Sequence, residues 1–211
     1  MFSVRAMTEA DITAVSAIRV AGWKAAYVGI VPQSYLDDMT VEADAEQRRL
    51  RFVQPRERMI NLVAVDEHSA VVGWACLGPY RGTEAGPAAG ELYALYVQPT
   101  LRGAGIGRTL LDAVDAHAAD LDFDTLLLWV LTDNLPARRF YEQAGCVADG
   151  AGQADDYDGV AVHEVRYRRM VPGNADHSAP GGAAPDTGSW APLNLQGVLR
   201  SERAGAAADG Q

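Results

Sequence analysis

The sequence predicts a mixed α+β / α/β fold in which a central mixed β-sheet is flanked by helices. Three observations carry this. Residues 125–131, Thr-Leu-Leu-Leu-Trp-Val-Leu, form a continuous apolar run of strand length, as expected of a strand with both faces covered. Ile106, Leu110, Val114, Ala118 and Leu121 recur at helical spacing, with Asp112, Asp115 and Asp120 mostly off that stripe, which marks an amphipathic helix packed on a core. Two strand-like runs, 60–65 and 70–77, are separated by Asp66, Glu67, His68 and Ser69, the pattern of a hairpin.

The remaining elements follow in order. Residues 2–7 read as a first strand. Thr8 is placed as a helix N-cap with Asp11 as its capping-box partner. Ile12, Val15, Ile18 and Arg19 continue at helical spacing toward Trp23 and Tyr27, and Gly29 and Pro32 end that helix. Residues 33–39 read as a short second helix, and the charged stretch 41–52 as a third. Residues 78–90 form a loop containing glycine, proline and alanine, and a strand starts at Glu91. After the 125–131 strand, Pro136 lies in the first turn of a helix over 137–144 that stops at Gly145. Strands near Cys146 and over 160–170 complete the sheet.

The chain has 211 residues and 48% hydrophobic content, which suits one domain plus an appendage. Residues 1–171 are assigned to that domain. Alanine, glycine and proline dominate 172–211, which reads as a disordered tail. Trp190, Leu193, Leu195, Val198 and Leu199 are its apolar exception, either an unstructured patch or a docking segment. The longest apolar runs are too short to cross a bilayer, and the N-terminus has no secretory core. The two cysteines, Cys76 and Cys146, read as reduced structural thiols of a cytoplasmic protein. A formal charge of −10 without a basic run argues against nucleic acid and for a cationic partner.

The chemistry concentrates after the strand that begins at Glu91. Pro99 ends that strand, and Arg102-Gly103-Ala104-Gly105-Ile106-Gly107-Arg108 opens the amphipathic helix. Glycines permit a tight turn and close approach of a ligand. The first N–H groups of the helix lack intrahelical partners, and its dipole adds partial positive charge. Such an end is an anion cradle, here read as one for a pyrophosphate. A Walker loop is excluded because Arg108 and Thr109 follow Gly107 where lysine and serine or threonine are required. The dinucleotide fingerprint fails because position 108 is arginine where glycine is needed.

The loop resembles the R/Q-x-x-G-x-G/A acetyl-CoA loop of the GNAT N-acetyltransferase superfamily. Downstream, Asn134, Ala137, Phe140, Tyr141, Glu142 and Gly145 fall in register with that family's second signature, N-x-x-A-x-x-F-Y-E-x-x-G. Trp23, Tyr27, Gly29 and Pro32 match the W-x-x-x-Y-x-G-x-x-P segment of a bacterial subgroup. Cys146 departs from the family, which often has an aromatic there, a difference that touches packing more than chemistry.

The resemblance implies a splayed sheet and direct acetyl transfer from acetyl-CoA to an amine in a ternary complex, with no metal. It places backbone groups of Leu95, Tyr96 and Val97 along the pantetheine arm, next to a bulge whose amide polarises the thioester. It places Arg102, Gly103, Ala104, Gly105, Ile106, Gly107 and Arg108 at the phosphates, and Asn134 at the cofactor. Arg108 is alternatively a solvated helix-face residue, and Asn134 a plain helix cap. Tyr141 is implied as the acid that protonates the leaving thiolate; in isolation a Phe-Tyr pair in an apolar helix is a core pair. Acceptor amines have a pKa of about 10.4, so a base can contribute on the order of 10²–10⁴-fold. Glu91 is the first candidate and His163 a lesser one, while a solvated strand-end carboxylate remains the alternative for Glu91. Tyr93 is placed on the same strand face as Glu91, to orient a water or shape the acceptor pocket. Trp23 and Tyr27 share a helical face, either to contact an amine by cation–π attraction or as core. The competing class is a non-catalytic acyl-CoA-binding sensor or interaction module. The family often dimerises, which leaves a homodimer open.

Overall fold

The computed structural model describes residues 2–53 and 58–172. Apart from Pro172, the tail and its apolar exception at Trp190 to Leu199 lie outside the described residues. The strands are β1 (Ser3–Ala6), β2 (Ile60–Val65), β3 (Val71–Pro79), β4 (Ala89–Val97), β5 (Thr125–Leu131), β6 (Val147–Tyr157) and β7 (Val160–Met170). The helices are α1 (Ile12–Ala26), α2 (Gln33–Asp37), α3 (Val41–Phe52), α4 (Ile106–Asp120) and α5 (Leu135–Gln143). Strands β5 and β7 and helix α3 match the ranges expected from their patterns. Helix α5 starts two residues before the expected 137, because Asn134 caps it through Oδ1, which accepts from Ala137 N at 3.3 Å. Gly145, at φ 85°, ends it in the left-handed region.

Local chemistry accounts for the entry to α1. Asp11 Oδ2 accepts from the Thr8 backbone N–H and hydroxyl, each at 2.8 Å, and Arg5 closes a two-pronged pair on the same carboxylate at 2.7 and 2.8 Å. The Arg5 guanidinium, with the Thr8 donors, holds the Asp11 carboxyl well below the usual carboxylate range.

All seven strands form one sheet in the order β1-β2-β3-β4-β5-β7-β6. Helix α4 lies on one face, over a core that includes Leu62, Leu77, Leu110, Leu111, Leu126, Leu128 and Tyr167. The opposite face carries α1 and α2 through Val15, Trp23, Leu36 and their partners. Apolar residues therefore alternate faces along β2 and β3 while both faces of β5 are covered, as its unbroken apolar run requires.

One feature of the sheet positions the site. Strands β4 and β5 run parallel and pair through Ala89–Thr125, Gly90–Leu126 and Glu91–Leu127, where the pairing ends. From there β4 stays with β3 as far as Val97–Gly73, and β5 stays with β7 as far as Leu131–Glu164. The sheet is forked. On the β4 side the register steps from Leu77–Leu92 to Cys76–Ala94, so Tyr93 is the extra residue of a β-bulge, which turns the strand away from its parallel neighbour.

The register of α4 departs from its sequence pattern at Asp115, which is buried, 7% exposed, and ion-paired to Arg169 of β7 at 2.8 Å. Asp115 follows Leu111 by four residues and precedes Ala118 by three, so it borders the apolar stripe. Its partner comes from a distant strand, out of reach of a local pattern.

Candidate active site

The glycine loop is built by two left-handed residues. After a single 3₁₀ turn over Pro99–Leu101, Gly103 has φ 84° and Gly105, the N-cap of α4, has φ 86°. Gly107 is helical, and a Cβ there would sit 3.4 Å from the Phe140 ring; it takes no part in the turn itself. The first intrahelical bond runs from Thr109 N to Gly105 O at 3.1 Å. The N–H groups of Ile106, Gly107 and Arg108 therefore precede the ladder, at the positive end of a 15-residue helix. Arg102, Gly103 and Ala104 are exposed beside them. Arg108 lies on the outer helix face, where its Nε donates to Asp112 Oδ1 at 3.0 Å, the solvated helix-face arrangement.

A valine at position 105 would be a β-branched residue at positive φ, a conformation that costs on the order of 1–3 kcal/mol. Gly105→Val is thus expected to weaken acetyl-CoA binding about tenfold or more by calorimetry, with the far-ultraviolet circular dichroism of the protein unchanged.

The open side of β4 continues the cradle. Gln98 N donates to Val72 O at 2.9 Å, so alternation along the strand turns the main-chain groups of Tyr96 toward β3 and those of Leu95 and Val97 toward the fork. Of the three residues expected to offer backbone groups there, Tyr96 contributes its side chain instead. Its ring lies parallel to Trp74 with centroids 6.1 Å apart, and its hydroxyl accepts from Trp23 Nε1 at 2.7 Å.

Tyr141 comes from α5. It is buried, its ring meets Phe140 edge-on at 5.1 Å, and its phenol lies within electrostatic range of Tyr96 and Tyr27. Burial pushes its pKa well up, with Tyr96 and Cys146 adding to the shift, so the hydroxyl holds its proton at neutral pH. Tyr27, at the end of α1, is raised likewise by burial and by Tyr96. Hydroxyls of Tyr27, Tyr96, Tyr141 and, from β6, Tyr157 thus converge at the fork.

Trp23 is core: it is 1% exposed, its N–H is satisfied by Tyr96, and the cation over its ring is Arg19, 5.1 Å from the centroid. Arg19 belongs in turn to a buried cluster with Asp44 and Arg48, at 2.5 and 2.7 Å. Asn134 is 9% exposed and serves as the α5 cap.

Glu91 is 1% exposed, not solvated. It sits at the last β4–β5 pair, and its carboxylate is enclosed by Arg81 from the β3–β4 connection. Arg81 Nε donates to Oε1 and Oε2 at 3.1 Å, its backbone N–H donates to Oε2 at 3.1 Å, and Nη2 donates to Oε1. Tyr93 lies beneath the same guanidinium, 4.9 Å from ring centroid to Arg81 Cζ, and its hydroxyl donates to Pro79 O. Glu164 of β7 is also buried, accepts from Gln153 Nε2 at 2.6 Å and lies within electrostatic range of Arg81. His163, on the same strand, is exposed and points away from this group.

The fork thus brings together Tyr141, Tyr27 and Tyr96, and separately Glu91 and Tyr93. Sequence inspection missed Arg81, Tyr157 and Glu164. A signal existed for Glu164, since it shares one strand face with the apolar Val162 and with Arg166. Arg81 carries no such signal inside a loop.

A sheet forked between parallel strands, with a glycine-turned helix end beside it, sets an open strand edge next to an anion-binding helix terminus. The model of the GNAT acetyltransferase family matches residues 25–146, and the chain belongs to that family. A Bacillus subtilis protein known as the uncharacterized N-acetyltransferase YuaI is 30% identical over 142 residues, 67% of this chain and 78% of its own length. The mycothiol acetyltransferase of Geodermatophilus obscurus is 34% identical over 103 residues, 48% of this chain, which spans only 33% of that protein. Among solved structures, a phosphinothricin acetyltransferase from Sinorhizobium meliloti in complex with AcCoA superposes with a TM-score of 0.67 at 21% identity, covering 88% of this chain and 97% of that one. A ribosomal-protein-alanine N-acetyltransferase from Brucella melitensis gives 0.63 at 25% identity, covering 80% and 99%. No helix among the described residues is long and apolar enough to cross a membrane.

Proposed function

We propose that the domain spanning residues 1–171 transfers the acetyl group of acetyl-CoA to an amine by direct attack in a ternary complex. The observation that carries this is the fork itself: the outward main-chain groups of Leu95 and Val97 lead directly to the free N–H groups of α4. A pantetheine arm would lie against the first as a short strand does, and the pyrophosphate would rest on the second. The donor set is neutral or positive there, with Arg102 exposed beside it, so the residues present fit a coenzyme A ester.

The chemistry follows from that placement. The neutral amine attacks the thioester carbon, the carbon–nitrogen bond forms and the carbon–sulfur bond breaks. A strand amide at the fork stabilises the oxyanion. The amine proton passes through water to Glu91, and Tyr141 gives its proton to the departing thiolate. Tyr27 and Tyr93 border the acceptor side, and Trp23 acts there only by holding Tyr96. Asn134 reaches the cofactor only from its capping position. No step of this reading calls for a metal.

Calorimetry with acetyl-CoA, paired with a thiol-release assay over a panel of amines, tests the reading. Saturable binding together with amine-dependent release of coenzyme A is expected. Binding with no release for any amine would point to an acyl-CoA-binding module instead.

A further inference from the structure

The enclosure of Glu91 has a cause outside its own strand. Both carboxylate oxygens accept from Arg81, and the group is 1% exposed. A carboxylate so buried has given up most of its water and needs hydrogen-bond donors in its place. Arg81 supplies those donors, with a permanent positive charge beside them. Its geometry is fixed from three sides. The guanidinium rests on the Tyr93 ring, whose hydroxyl is tied to Pro79 O. Its own backbone N–H is committed to Glu91. The neighbouring Tyr80 and Glu84 are fastened across to β7, where Arg166 Nη1 donates to the Tyr80 hydroxyl at 2.6 Å and to Glu84 Oε1 at 2.5 Å, while Arg166 Nε donates to Asp149 Oδ2 at 2.8 Å.

We infer that Arg81 is a positioning residue for acetyl transfer: it fixes the direction of the Glu91 carboxylate, and Arg166 holds the β3–β4 connection that delivers it. This rests on the reading of Glu91 as the base. Arg81 touches neither the thioester nor the amine in this role, and acts through Glu91 alone. Lysine would supply the charge without the forked donor geometry. The connection therefore belongs to the catalytic apparatus although it carries no motif.

Steady-state kinetics of the full chain test this. Arg81→Ala and Arg81→Gln are expected to lower kcat on the order of 10²-fold with the KM for acetyl-CoA unchanged, which also reports that each variant is folded. Arg81→Lys should recover part of the loss, and guanidinium ion added to Arg81→Ala should restore turnover. On a Glu91→Gln background, Arg81→Ala should cost nothing further, as expected for two groups acting as a unit. Wild-type kcat in Arg81→Ala, failure of guanidinium to restore it, or an undiminished loss on the Glu91→Gln background each overturns the positioning role. Wild-type kcat in Glu91→Gln alone overturns the base reading itself, and is distinguishable because Arg81 is intact in that variant.

Discussion

Tyr141→Phe is expected to lower kcat by on the order of 10²–10⁴-fold, the range of a general acid removed from a rate-limiting proton transfer, while acetyl-CoA binds as before. The substitution deletes one oxygen and keeps the ring, so the edge-on contact with Phe140 at 5.1 Å survives. Burial, Tyr96 and Cys146 together hold the Tyr141 phenol protonated well above its ordinary range. It is therefore available as a donor over the whole pH range in which the acceptor amine can be deprotonated. The sign of the effect with pH follows: loss of Tyr141 lowers turnover at every pH and does not add or remove a limb near neutrality. Stopped-flow or steady-state thiol release across pH, with calorimetric affinity for acetyl-CoA, checks both statements. Turnover equal to wild type would remove Tyr141 from the mechanism.

The second large effect concerns stability. Arg169→Met leaves Asp115 buried without its cation, and breaking a buried pair from one side costs about 3–5 kcal/mol. For a domain of this size that corresponds to a fall in Tm of roughly 6–20 °C. Within the protein, Asp115 Oδ1 and Arg169 Nη1 meet no hydrogen-bonding group. Burial already pushes the Asp115 carboxyl up despite the opposing pull of Arg169. A carboxyl whose folded pKa is raised contributes stability at low pH that is lost as pH rises through the folded value. The deficit of Arg169→Met should accordingly shrink on acidification toward the carboxylate range and be largest at neutral pH. Replacing both partners, Asp115→Leu with Arg169→Met, should recover most of the loss, because an apolar pair of similar volume is often neutral or better. Differential scanning calorimetry at two pH values reads all three outcomes.

The residues that local pattern made legible are those whose structural cause is local. Thr125–Leu131 is a strand because its apolar run is covered on both faces, and Val41–Phe52 is a helix because Thr40 caps it through Oγ1 and acidic residues sit in its first turn and basic ones in its last. The positive φ of Gly103 and Gly105 and the cap at Asn134 follow from the same short-range chemistry. What stayed hidden joins residues far apart in the chain. Trp23 meets Tyr96, Arg81 turns back onto Glu91, and Asp115 meets Arg169 across helix and sheet. Trp23 illustrates the limit well: position placed it on the acceptor-side helix face, but only the Tyr96 hydroxyl decides that it is core. Glu91 shows the reverse, since its place on the strand leading to the glycine loop was legible, although that strand begins two residues earlier at Ala89, and its burial was not.

The parallel pairing of β4 with β5 spans three residues. Beyond Glu91 the molecule therefore contains two sheet edges in its interior, at Leu95 to Val97 and along the far end of β5. Exposed edges invite pairing with other chains, and proteins usually blunt them with charge, proline or a covering element. Here Pro99 stands just past the end of one edge and α4 crosses beside it. An edge at the base of such a wedge has room for a narrow extended chain and none for a neighbouring β-sheet, so the divergence that leaves the edge unpaired also shields it from edge-to-edge assembly.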